Sequence, residues 1–97
     1  MPAYLSLFNF TEQGIHNIKG TLERVEALRQ AAQAAGGRII GVWYLMGQYD
    51  GMVIFETPDD ETAMRQLVLN GLRGNNRSTT LRAFSEEEMS KVLAGLP

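Results

Sequence analysis

The chain has 97 residues and a mass of 10.8 kDa, enough for one domain over residues 1–97 and no second, since folded domains cluster near 100 to 150 residues. Hydrophobic residues make up 44% and charged ones 21%, with a net charge of -2 and a pI near 5.3, which excludes a disordered chain and a general binder of polyanions. With no cysteine and a single histidine, His16, disulfides, iron–sulfur ligation, thiolate zinc and a cysteine nucleophile are excluded, and no metal or other cofactor is expected.

Pro2 to Phe10 alternates, with Leu5 and Leu7 against Tyr4, Ser6 and Phe8, and reads as a strand. Ile15, Ile18, Leu22, Val25, Leu28, Ala32 and Ala35 then recur at helical spacing. Gly14 and Gly20 interrupt that helix, predicting a short opening turn and a main helix from about Thr21, which is read as a possible cap. Gly36 and Gly37 end it with a left-handed stop. Arg38 to Met46 and Gly51 to Thr57 are β-branched and aromatic around a short Gly- and Asp-rich link, an antiparallel hairpin.

Pro58, Asp59, Asp60 and Glu61 open a second long helix whose stripe is Ala63, Met64, Leu67, Val68 and Leu72, closed by Gly71 or Gly74. Asn75 to Phe84 alternates as a fourth strand, and Ser85 with Glu88 forms a capping box for a short last helix carrying Met89, Val92, Leu93 and Leu96. The order is βαββαβ plus a C-terminal helix, an α+β ferredoxin-like fold with a four-stranded antiparallel sheet and both long helices on one face. Met46, Met52, Met64 and Met89 read as core filling.

Several strands are apolar on both sides. In the second strand Ile39, Trp43 and Leu45 oppose Ile40, Val42, Tyr44 and Met46; in the third, Met52 and Ile54 oppose Val53 and Phe55. Half-exposed antiparallel sheets are polar on their open face, so a second copy of the chain is expected to cover this one. No basic segment precedes the apolar start, and the run Ile39 to Met46 falls well short of the ~20 residues a bilayer helix needs. A cytoplasmic protein with no membrane partner is expected.

Residues 47 to 50 read Gly-Gln-Tyr-Asp. With Gln13-Gly14, Arg24, Gly36-Gly37, Pro58-Asp59-Asp60 and the closing Thr79-Thr80-Leu81-Arg82-Ala83-Phe84, the chain resembles over nearly its whole length the GYD domain family of small, mostly bacterial proteins, named for that hairpin. It departs at Gly51, where an apolar residue usually follows Tyr-Asp, and at Thr21-Leu22, where Ser-Pro or Thr-Pro often opens the helix. The resemblance implies a ferredoxin-like fold related to dimeric α/β barrels and supplies no reaction.

Tyr49 and Asp50 offer a phenol and a carboxylate, although turn chemistry accounts for both. His16 lies beside the helical stripe without a second metal ligand, and reads as a structural or solvent-edge histidine. Arg65, Arg73, Arg77 and Arg82 fall in an acid-free stretch from Thr62 to Ser85, a conceivable anion site or solvated surface. Arg82 shares its parity with Thr80 and Phe84, and taking Leu81 and Ala83 as the helix-facing pair places it on the open face.

Gly51 to Phe55 echoes an RNA-recognition strand, but Met52 and Asp50 replace the stacking aromatics and the hairpin has no basic residue, so no nucleic-acid partner is expected. The leading reading is an oligomeric module binding a small organic ligand, with Tyr49, Asp50, Arg82 and His16 as candidate contacts. The alternatives are a cofactor-free enzyme using those side chains, and a structural or regulatory oligomer without pocket chemistry.

Overall fold

A computed structural model describes all residues from Met1 to Pro97. The first alternating segment is β1 (Ala3–Phe10), which buries Tyr4, Ser6 and Phe8. Its glycine-interrupted successor is a short helix α1 (Glu12–His16), a 3₁₀ turn (Ile18–Gly20) and the main helix α2 (Thr21–Ala34). Thr21 is the first helical residue of α2 and not its cap: Gly20 occupies the cap with no side-chain bond, and the Thr21 hydroxyl lies 3.3 Å from that of Tyr44. At the far end Gly36 is left-handed at φ 84. The Gly37 and Gly36 amides reach back to the carbonyls of Ala32 and Gln33, closing the helix in a Schellman motif.

The hairpin strands β2 (Arg38–Tyr44) and β3 (Gly51–Glu56) follow, then α3 (Asp60–Arg73), β4 (Asn76–Ala83) and α4 (Glu86–Ala94). The Asp59 carboxylate caps α3, accepting from the Thr62 hydroxyl at 2.7 Å and its amide at 2.8 Å. Those bonds hold it below the usual carboxylate range. Helix α3 ends at Gly74, φ 75, and not at Gly71. Helix α4 has the capping box read from Ser85 and Glu88.

The strands form one antiparallel sheet in the order β2-β3-β1-β4, the α+β ferredoxin-like arrangement. The sheet is open, with β2 and β4 as its edges, so the chain alone closes no barrel. Cross-strand partners share a face. Ser6 therefore brings Val53 and Thr80 with it to the helix side, while Leu5 brings Ile54 and Leu81 to the other.

Two sequence expectations about faces are corrected by this register. A bulge between Ile39 and Gly41 shifts β2 by one residue, so Ile39, Val42 and Tyr44 share the helix side while Trp43 lies opposite. Arg82 pairs with Tyr4, whose parity is the helix side, so Arg82 belongs to that side and not to the open face. Leu81 and Ala83 follow Leu5 and Ala3 instead, because β1 buries its aromatic parity beneath the helices.

The open face carries Leu5, Leu7, Met52, Ile54, Trp43 and Leu81, with Trp43 45% and Leu81 50% exposed. Met46, Met64 and Met89 are exposed, so only Met52 of the four expected core methionines is half-buried. Helix α3 turns Ala63, Gln66, Leu67 and Asn70 inward and leaves Met64, Val68 and Leu72 outside. Every residue of α4 except Glu88 is exposed. The chain presents 6771 Å² of surface, where a folded monomer of its mass presents about 5,500 Å². Its radius of gyration, 14.7 Å, also exceeds the roughly 12.5 Å expected for this length.

Contact with the α3–β4 turn leaves Gly14 no room for a side chain: a Cβ would lie 1.8 Å from the Asn75 carbonyl oxygen. Gly71, inside α3, meets nothing within 4 Å. Alanine normally stabilises a helix interior by about 1 kcal/mol over glycine. Gly71→Ala is therefore expected to raise stability by about 0.5 to 1 kcal/mol in urea denaturation, whereas Gly14→Ala lowers it by about 1 to 3 kcal/mol.

Candidate functional site

Helices α2 and α3 lie over one sheet face without closing on each other, and between them is a cavity of about 110 Å³, space for several waters or a small organic group. Its floor is Phe8, Val53, Phe55 and Val42; Val25 and Leu28 of α2 and Leu67 of α3 form the walls. Most of its polar side chains lie toward one end, with Ser6, Gln66 and Thr57 spread along the rest. Thr21 and Arg24 start α2, Tyr44 ends β2, and Arg73, Asn75 and Asn76 mark the passage from α3 into β4. The wall contains two arginines and no aspartate, glutamate or histidine.

This end is built by α1. The Gln13 amide donates to the Arg73 carbonyl at 2.8 Å, the Thr11 hydroxyl donates to the Gly74 carbonyl at 2.5 Å, and the Thr11 amide to the Asn75 carbonyl at 3.1 Å. The Asn70 side chain donates to that of Asn76 at 2.9 Å, tying α3 to β4. The α3–β4 turn is thereby fixed against the segment that leads into α2.

None of the four residues singled out from sequence lines the cavity. Asp50 is a tie for the hairpin: its carboxylate accepts from the Phe10 amide at 2.9 Å, its own amide donates to the Phe8 carbonyl at 2.9 Å, and its carbonyl accepts from Leu45. Gly47, φ 121, supplies the left-handed turn, and Tyr49 is half-buried beside Asp50. Gly51 leaves space that the Phe8 ring occupies, since a Cβ would come within 2.1 Å of it. His16 sits in a shallow hollow outside the cavity with Asn17, Lys19 and Arg24.

Arg82 stands at the opposite end of the sheet from Tyr44. Its Nη2 donates to the Glu88 carboxylate at 2.8 Å, and its guanidinium lies 4.4 Å from the Phe84 ring centre and 5.8 Å from that of Tyr4. The Tyr4 hydroxyl donates to Asp60, and burial first, then Asp60, pushes its pKa above the usual tyrosine range. An internal acid thus satisfies Arg82, and the structure brings it together with Tyr4, Asp60 and Glu88, not with Asp50.

Arg24 is the residue that sequence reasoning passed over as a contact. The signal was its spacing: with Thr21, Leu28, Ala32 and Ala35 it falls on the inward face of α2, a charge on an otherwise apolar stripe. No three of the His, Asp and Glu side chains converge as a metal site, and no helix is long and apolar enough to cross a membrane.

The sequence pattern of the GYD domain matches residues 4–93. The chain belongs to the GYD domain family. This GYD domain is similar to the "glutamine synthetase and cystathionine beta-lyase binding protein" of Thermus thermophilus, 26% identical over 85 residues that span 87% of this chain and 90% of that protein. In three dimensions it is similar to the crystal structure of TTHA0845, also from Thermus thermophilus, with a TM-score of 0.53, 23% identity, and coverage of 88% of this chain and 95% of that one. That likeness supports the fold.

The Arg82 hydrogen bond, followed by the Ser85 amide, holds the Glu88 carboxyl below its usual range. A carboxyl depressed by folding contributes stability above its ordinary range and loses that contribution as pH falls through the depressed value. Both side chains are about one-third exposed, so the contribution is small. In this GYD domain, Arg82→Gln is expected to lose less stability than the native chain between about pH 6 and about pH 3. Thermal melts across that range check it; equal losses would show that the pair contributes nothing.

Proposed function

We propose that this GYD domain is a binding module that associates through its open sheet face and holds a small organic ligand in the cavity between its helices and sheet. The carrying observation is the cavity, whose floor and walls are largely apolar and whose charged groups, Arg24 and Arg73, lie toward one end, a composition common in small-molecule sites. Its wall supplies cations, hydroxyls and amides but no carboxylate or imidazole to take a proton. These groups suit binding better than the acid–base turnover of the cofactor-free enzyme alternative.

Two features of the structure support association. The surface excess over an ordinary monomer is about 1,200 Å², comparable with the roughly 800 Å² each partner contributes to a standard interface. The open face also carries Trp43 and Leu81 half out of water, the kind of large apolar patch that single chains rarely keep.

A second reading concerns a protein partner. The relative from Thermus thermophilus is named for binding two enzymes, and the outer side of α3, with Met64, Val68 and Leu72, provides an exposed apolar stripe of the sort a protein partner covers. In this reading the domain docks on a larger protein, and the sheet face remains the self-association surface.

Light scattering at micromolar concentration is expected to give about twice the mass of 10.8 kDa or more, and the double variant Trp43→Glu, Leu81→Lys about the single-chain mass with its circular dichroism retained. A monodisperse single-chain mass for the native protein would overturn association. For the cavity, binding of the small neutral probe benzyl alcohol is expected to fall at least about tenfold in Val53→Trp, which fills the floor, a loss of about 1.4 kcal/mol. Unchanged binding in a folded Val53→Trp would place the probe elsewhere.

A further inference from the structure

The most unusual polar group in the molecule is the guanidinium of Arg24. Its Nη1 donates to the Asn17 carbonyl at 2.9 Å, while its Nη2 is buried with no hydrogen-bond partner. The salt bridges of the chain join Arg29 to Glu26, Arg38 to Glu56, Arg65 to Glu61 and Arg82 to Glu88; none reaches Arg24. A buried donor on a charged group is costly to leave unpaired. The position adds to that cost, because Arg24 lies in the first turn of α2, where the backbone dipole is positive and disfavours a cation.

The surroundings do nothing to neutralise it. Arg24 lines the cavity on one side and the hollow with His16 and Lys19 on the other, and neither contains an aspartate or glutamate. The cavity instead adds a second cation, Arg73, at its polar end, also without a carboxylate partner. Space is kept for the guanidinium by Gly20, where a Cβ would stand 3.2 Å from Nη1.

We propose that Arg24 anchors the ligand of the cavity through a carboxylate, so that the ligand class is a small organic acid with an apolar body. This rests on the cavity reading above. The carboxylate accepts from the Arg24 guanidinium, a charge-assisted bond open to a ligand because no acid of the chain pairs with that side chain. Tyr44 and Thr21, whose hydroxyls lie 3.3 Å apart beside it, supply neutral donors. The apolar body lies against Phe8, Val53 and Phe55, which offer no partner to a second charge.

Isothermal titration with phenylacetate, isovalerate and benzoate, each beside its neutral primary amide, tests the assignment. At least one acid is expected to bind about tenfold or more tightly than its amide, and Arg24→Gln to remove that preference. Arg77→Gln, a surface arginine outside the cavity, is expected to keep it. A merely structural role for Arg24 through Asn17 changes the melting temperature and leaves the acid-to-amide ratio alone. Arg24→Lys, which keeps the charge but not the fork, separates the two further by retaining part of the preference. Equal binding of acids and amides overturns the anchor and leaves the cavity reading standing; no binding of either overturns both. Acid preference that survives in folded Arg24→Gln assigns the anion to another residue and overturns the proposal.

Discussion

Gly14 of α1 and the carbonyl of Asn75 touch with no space between them, and the site depends on that contact. Helix α1 is only five residues long, too short to be stable alone. It persists because Thr11 and Gln13 spend their hydrogen bonds on Arg73, Gly74 and Asn75. One end of α1 is thus fixed to the C-terminus of α3 and the other leads through the 3₁₀ turn into α2. Acting as a strut between the two long helices, it sets the gap that the sheet floors and the side chains only partly fill.

The rest of the molecule follows from thin coverage. Two helices over four strands leave one sheet face bare and do not meet over the other, so only 7 of 97 residues are buried. Apolar side chains that a larger fold would enclose instead point outward, along α3 and α4 as well as across the sheet. An isolated chain of this build retains little of the stabilisation that burying Leu, Met and Trp normally brings.

Local rules were the most legible in the sequence. The Asp59 and Ser85 caps, the Gly36 stop, the broken start of α2 and the order of strands and helices all follow from backbone chemistry within a few residues. Faces were harder. A single inserted residue at Ile40 reversed the sides of Trp43 and Tyr44, and no pattern within β2 announces a bulge. Arg82 was assigned by what suited small side chains, whereas its side is decided by Tyr4, far away in the chain. The family hairpin drew attention to Tyr49 and Asp50, but Asp50 bonds to the end of β1. Arg24 was visible as a charge on an apolar stripe, and only the tertiary structure shows that no acid answers it.

The bulge in β2 also bears on the exposed edge of the sheet. β2 is a sheet edge rich in β-branched and aromatic residues, and a straight edge of that kind templates the addition of further strands without limit. Here the ladder is interrupted between Ile39 and Gly41, and the Trp43 ring lies over Gly41, where a Cβ would come within 2.4 Å of it. The strand is bent and capped by an indole before a stranger can align with it. The edge is thereby a poor template for strand addition, and the fold is guarded at this edge against growth into fibres.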